Sequence, residues 1–196
     1  MTFLSRMGAV LACVLVASAA GAAPKKLQPA SPQPSGLKTG LAVAYAWAGD
    51  IPAKIDFLEQ AKGLLKKGAK SGKPLRGLDY RDTDEGDPVL TFDQAFNVAA
   101  VIRGYIRFDE PGTYEVETWS NDGIEAFIGG QKVGIVTGRQ TCSSNQRTTV
   151  EVPQAGWYDL NMVYFQKWAT SCLMMKWGKE GDEDLKWVPN DVFGYR

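Results

Sequence analysis

The chain has 196 residues, with 22 basic and 22 acidic side chains, so its formal charge is zero and nothing marks a nucleic-acid or membrane-surface patch. It contains no histidine, which excludes Ser-His-Asp and Cys-His catalysis and histidine-ligated zinc. Of its three cysteines, Cys13 falls in the N-terminal apolar run, leaving Cys142 and Cys172 for the folded part.

Residues 1–22 read as a signal peptide. Arg6 gives the positive start, Met7 to Ala20 the apolar core, and Ala20-Gly21-Ala22 a small-residue cleavage site. The run is too short and too rich in alanine to span a membrane, so the mature chain is expected to be exported to the periplasm, cell surface or medium with no membrane span. In that oxidising setting Cys142 and Cys172 are expected to pair as a disulfide. Residues 23–36, with PKKLQPASPQPSG, have few apolar side chains and are expected to be a flexible or extended linker. Residues 37–196 remain, a length that suits one domain with its own core.

Within that domain, GLAVAYAW (residues 40–47) reads as a first strand. Ile55, Leu58, Ala61, Leu64 and Leu65 recur at helical spacing, and Gly68 and Gly72 end the pattern. Lys62, Lys66 and Lys67 fit a solvated face near the helix C-terminus. DYRDTDEGDP (residues 79–88) is acidic. Asp82, Asp84 and Asp87 around Gly86 partly match a calcium loop, but Glu85 stands where Asp or Asn belongs and the distal Glu is missing, so a hydrophilic turn is expected.

From residue 98 the chain reads as strands. VAAVIRGYIRF leads to the turn Asp109-Glu110-Pro111-Gly112. TYEVETW, IEAFI, RTTVEVP, WYDLNMVYF and CLMMKW follow with period-two alternation. Tyr114, Val116, Ile124, Ala126, Ile128, Val150, Tyr158, Leu160, Met162, Tyr164, Leu173, Met175 and Trp177 fall on the inward register. Short strands, Gly and Pro turns and one helix give an all-β class with one helix, an antiparallel β-sandwich. Between TYEVETW and IEAFI stands Ser120-Asn121-Asp122-Gly123, which serves as the turn of a hairpin or as oxygen ligands for a hard metal ion.

GYIRFDEPGTYEVETWSNDGIEAFIGGQKV resembles the central signature of the PA14 (PA-fourteen, protective antigen) domain family. VEVPQAGWYDLNMVYFQKWATSCLMMKW is similar to its later signature, VPNDVF to its closing segment and GLAVAYAW to its opening. The resemblance covers nearly all of residues 40–194. Tyr114, Ser120, Asp122 and Gly123 match, whereas Asn121 replaces an Asp and Gly129-Gly130 replaces Asp-Gly.

The resemblance implies a lectin-like β-sandwich of the PA14 type. It also implies a calcium ion held by two adjacent acidic residues across a cis peptide, with a second loop supplying further ligands. Carried to this chain, the ion would sit on Asn121 and Asp122, with Gln166 to Ser171 as the second loop. Asn121 weakens that site by one charge. Lys167 would repel the ion, or would close the site by pairing with Asp122. Trp119 and Trp168 bracket the corner. Both can stack on sugar C–H faces, and both can equally be structural, Trp119 at a sheet edge and Trp168 over the disulfide. The expected ligand-binding residues are thus Trp119, Asp122, Lys167 and Trp168. The expected function is exported, non-catalytic carbohydrate binding, calcium-assisted, with a glycan as partner. The alternative is a cell-envelope domain with a degenerate, metal-free corner that docks another envelope protein.

Overall fold

The computed structural model describes residues 23–50, 55–144 and 147–196, so the expected signal peptide lies outside the described residues. In chain order the strands are β1 (Lys25–Lys26), β2 (Lys38–Thr39), β3 (Ala42–Trp47), β4 (Lys70–Ser71), β5 (Asp79–Tyr80), β6 (Val98–Phe108), β7 (Gly112–Asn121) and β8 (Ile124–Ile128). Then come β9 (Gln131–Val136), β10 (Ser143–Ser144), β11 (Thr148–Val152), β12 (Gly156–Gln166), β13 (Cys172–Lys179), β14 (Lys186–Trp187) and β15 (Phe193–Tyr195). The helix α1 (Leu58–Gly68) lies between β3 and β4.

Two sheets pack face to face. One runs β1-β11-β7-β13-β14, with β10 added on β7 and β5 on β13. The other runs β2-β15-β6-β12-β8-β9, with β3 paired to β6 and β4 to β3. The alternation read from the sequence sets which face is dry. Val116, Val150, Leu173 and Met175 of the first sheet meet Ile102, Ala126, Leu160, Met162 and Tyr164 of the second in one core. Trp177 is only partly buried but packs against that core, with its ring 5.0 Å from Phe108.

β6 opens with Val98-Ala99-Ala100-Val101, which is apolar on both faces. The helix explains this. Val98 and Ala100 point into the sandwich, while Ala99 and Phe165 on the outer face lie beneath Ile55, Leu58 and Ala61. The start of α1 is stabilised by the Gln60 side chain, which accepts from the backbone N–H groups of Asp56 (2.7 Å) and Phe57 (3.1 Å). Among the described residues, no helix is long and apolar enough to cross a membrane.

Residues 23–36, expected to be a flexible or extended linker, are not a free linker; the segment docks as part of the sandwich. β1 pairs in parallel with β11, and Leu27 is 1% exposed within the core. Backbone bonds continue outward, Gln28 N–H to Gly129 O at 3.0 Å and Ala30 N–H to Trp157 O at 2.9 Å. The Gln33 side chain accepts from Trp157 N–H at 2.8 Å and donates to Ala30 O at 2.8 Å. Composition misled here because the anchors are few: Leu27, Ala30 and Pro34 are buried. Three buried apolar residues and a set of edge hydrogen bonds are enough to dock a segment with little hydrophobicity of its own.

The polar corner also departs from expectation, because no hairpin forms. Asn121 still pairs with Cys172 of β13 in the first sheet. One residue on, Asp122 N–H donates to Phe165 O at 3.1 Å, and Phe165 N–H donates to Gly123 O at 3.0 Å, both in the second sheet. The chain therefore crosses between sheets within three residues. Gly123 is required there, since a Cβ would come within 2.2 Å of Phe165 Cε1 and 2.8 Å of Val136 O.

Candidate functional site

Two crossings adjoin at one end of the sandwich. The first is the Asn121–Asp122 corner, whose peptide bond is cis. The second is the loop 167–171, which carries the chain from β12 back to β13. The second loop is held from beneath by the buried Gln166, whose Nε2 donates to Trp168 O at 2.5 Å and Thr170 O at 2.6 Å. Ala169 at its tip adopts a left-handed φ of +64°. Residues without a Cβ usually fill that region, so the fixed loop shape comes from its surroundings.

A third segment closes the site. Cys142 and Cys172 form the expected disulfide, 30 residues apart. The bond ties the stretch 139–142 to the start of β13 and lays it over the corner. Gln140 fills the gap: its Nε2 donates to Ser120 O at 2.9 Å and Ser143 O at 3.2 Å, and its backbone N–H donates to Asp122 Oδ1 at 3.2 Å. The result is an open hollow of about 330 Å³ lined by Asn121, Asp122, Arg139, Gln140, Thr141, Trp168, Ala169 and Thr170.

Asp122 forms the floor and is 4% exposed. Lys167 backbone N–H donates to its Oδ2 at 2.9 Å. Burial raises its pKa; the N–H groups of Lys167 and Gln140 and the charges of Arg139 and Lys167 work in the opposite direction. The Asn121 Nδ2 donates to Thr170 Oγ1 at 2.9 Å, and its carbonyl accepts from the Tyr164 hydroxyl at 2.5 Å. Tyr164 is wholly buried, which keeps its phenol protonated far above the ordinary range.

Lys167 does not pair with Asp122 through its side chain, as one expectation had it. Its ammonium group instead meets Asp56, just before α1. Asp56 also holds Arg139 at 3.5 Å, and the hydrogen bond from Lys167 is the main influence lowering its pKa. The backbone of Lys167 faces the corner, so its stem runs toward the helix. Trp168 is 43% exposed, with Arg139 and Lys167 at 5.3 Å and 4.8 Å from its ring.

Asn121, Asp122, Lys167 and Trp168 are therefore brought together, but Trp119 is not. Trp119 does not line the hollow, and its ring packs edge-on to Trp187 at 5.8 Å with Lys176 at 5.3 Å. Residues not singled out from sequence are Arg139, Gln140, Thr141 and Asp56, whereas Thr170 lies in the expected second loop. A signal for the first three was present. A Cys142–Cys172 bond must bring the residues just before Cys142 beside those just before Cys172. Asp56 had no such signal.

The donor set does not fit calcium. That ion takes six to eight oxygens, usually with several carboxylates. Asp122 is the only acidic residue lining the hollow among the described residues, and both of its oxygens already accept backbone N–H groups. Arg139 lines the same space. Asp82 lies close to the sulfurs of Cys142 and Cys172, but those sulfurs are joined to each other and offer no thiolate. The 84–87 stretch is a plain turn, closed by Asp87 N–H on Asp84 O at 3.2 Å and Asp84 N–H on Asp87 Oδ2 at 3.2 Å.

Known structures share the fold at low identity. The PA14 domain of the antifreeze protein MpAFP aligns over 83% of this chain and 93% of its own, at 15% identity and TM-score 0.68. The PA14 sugar-binding domain from an RTX adhesin aligns over 81% and 99%, at 14% identity and TM-score 0.64. The A domain of epithelial adhesin 6 from Candida glabrata, solved with Galβ1-3GlcNAc, aligns over 88% and 93%, at 11% identity and TM-score 0.65. No curated protein matches the sequence. The model of the PA14 domain family matches residues 80–190, more than half of the chain and a span that contains both crossings. With its two-sheet sandwich and its corner at Asn121–Asp122, the chain belongs to the PA14 domain family.

Proposed function

We propose that this chain is an exported, non-catalytic carbohydrate-binding module, and that its glycan sits in the hollow between the Asn121–Asp122 corner and the loop 167–171. One observation carries the reading. A fixed polar floor, Asp122 and Asn121, lies beside an exposed Trp168 in a single open hollow. Sugars need both features, hydrogen-bonding groups for their hydroxyls and an aromatic surface for their C–H faces. Similarity to a sugar-binding RTX adhesin domain and to an adhesin solved with a disaccharide supports it. Export is supported by the N-terminal pattern and by the disulfide, which suits an oxidising compartment.

A glycan array probed with the mature chain tests the proposal. Weak binding to a limited set of glycans is expected. Trp168→Ala should weaken it about tenfold, the loss of one aromatic contact, and should change the melting temperature little because the side chain lies outside both hydrophobic clusters. If the wild-type chain binds no glycan, the reading fails and the envelope-docking alternative replaces it.

A further inference from the structure

The misfit to calcium leaves a question about charge. A corner built without a metal ion has to meet its ligand with protein groups alone. Two side chains lining the hollow have hydrogens to donate to a ligand. Arg139 contributes its guanidinium. Thr170 Oγ1 accepts from Asn121, which leaves its O–H to donate. The one carboxylate, Asp122, accepts two backbone N–H groups, which offset part of its charge and leave a lone pair on each oxygen for a sugar hydroxyl. Asp56, the only ion-pair partner of Arg139 among the described residues, stands 3.5 Å from it and is bound more closely by Lys167. A guanidinium so placed is held in position yet able to take a second planar anion.

We infer that the hollow selects a sugar bearing a carboxylate, a uronic acid, with Arg139 gripping the carboxylate and no metal ion taking part. This rests on the carbohydrate-binding reading and specifies the class of sugar. Trp168 stacks on the ring of that sugar while its acid group reaches Arg139, 5.3 Å from the indole. Gln140, whose side chain is anchored on Ser120 and Ser143, fixes the neighbouring backbone and so the origin of the Arg139 side chain. Arg139 is thus held by the disulfide-tied segment as well as by Asp56.

The test compares methyl galacturonoside with methyl galactoside, which differ only at C6, by calorimetry on the mature chain with calcium or with a chelator. The uronate should bind about tenfold more tightly than the neutral sugar, in either medium, and its affinity should fall with added salt. Arg139→Gln should bring the uronate-to-galactoside affinity ratio to about one, a ratio in which any loss common to both sugars cancels. Equal binding of the two sugars, or binding that the chelator abolishes, overturns the inference while leaving carbohydrate binding intact. If neither these sugars nor any glycan of the array binds, the underlying reading falls and takes the inference with it.

Discussion

Breaking the Cys142–Cys172 bond tests stability and site assembly together. The bond closes a loop of 30 residues. In the chain-entropy description, that closure removes about 12 cal/mol/K from the unfolded ensemble, or about 3.6 kcal/mol at 25 °C. For a chain of this size, a loss of that order lowers the melting temperature by about 7 to 14 °C. The assay is urea unfolding of the oxidised chain, the chain held reduced, and the Cys142→Ala/Cys172→Ala variant. Both broken forms should lose similar stability. Their m-values should rise, because the untethered chain expands further. Glycan affinity should fall as well, since Arg139 to Thr141 would no longer be tied over the corner. A stability loss below about 1 kcal/mol with an unchanged m-value would refute the argument that the tether acts through the unfolded chain.

Tyr164→Phe should cost about 1–3 kcal/mol in chemical denaturation, because the buried carbonyl of Asn121 loses its hydroxyl donor. Leu27→Ala should cost about 2–5 kcal/mol by the same measurement, a core penalty that a solvated linker would not show. Tyr45 is 2% exposed and burial pushes its pKa up to about 12. Because the folded value is the higher one, its stabilising contribution is full below the unfolded pKa near 10 and is lost as pH rises through 12. The loss is about 3 kcal/mol. Tyr45→Phe should remove that part of the alkaline transition in a pH series of melting curves, at a cost near neutrality of about 1 kcal/mol for its hydrogen bond with Thr91.

Much of the fold was legible because period-two alternation is a local signal. Tyr158, Leu160, Met162 and Tyr164 face inward because the pleat alternates and their neighbours are polar or shielded by α1. The helix was legible from the spacing of Ile55, Leu58 and Ala61, and its stop from Gly68. The pairing of Cys142 with Cys172 followed from their count and setting. The docked N-terminal stretch was not legible, because its hold depends on a sheet edge formed by residues more than 100 positions away.

The sequence by itself determined which residues of the long strands face inward, the single helix, the disulfide partners and the identity of the corner residues, since each rests on periodicity, residue chemistry or counting. The tertiary structure alone decided what the corner does. Both crossings have to meet at one end of the sandwich before Asp122 can face Lys167 N–H and Gln140 N–H, or before Lys167 can turn its charge to Asp56. Those contacts link residues 18 to 111 positions apart. No local pattern specifies which backbone donors a carboxylate meets or to which acid a neighbouring cation turns. The sandwich does so by bringing three distant segments to one end of its sheets.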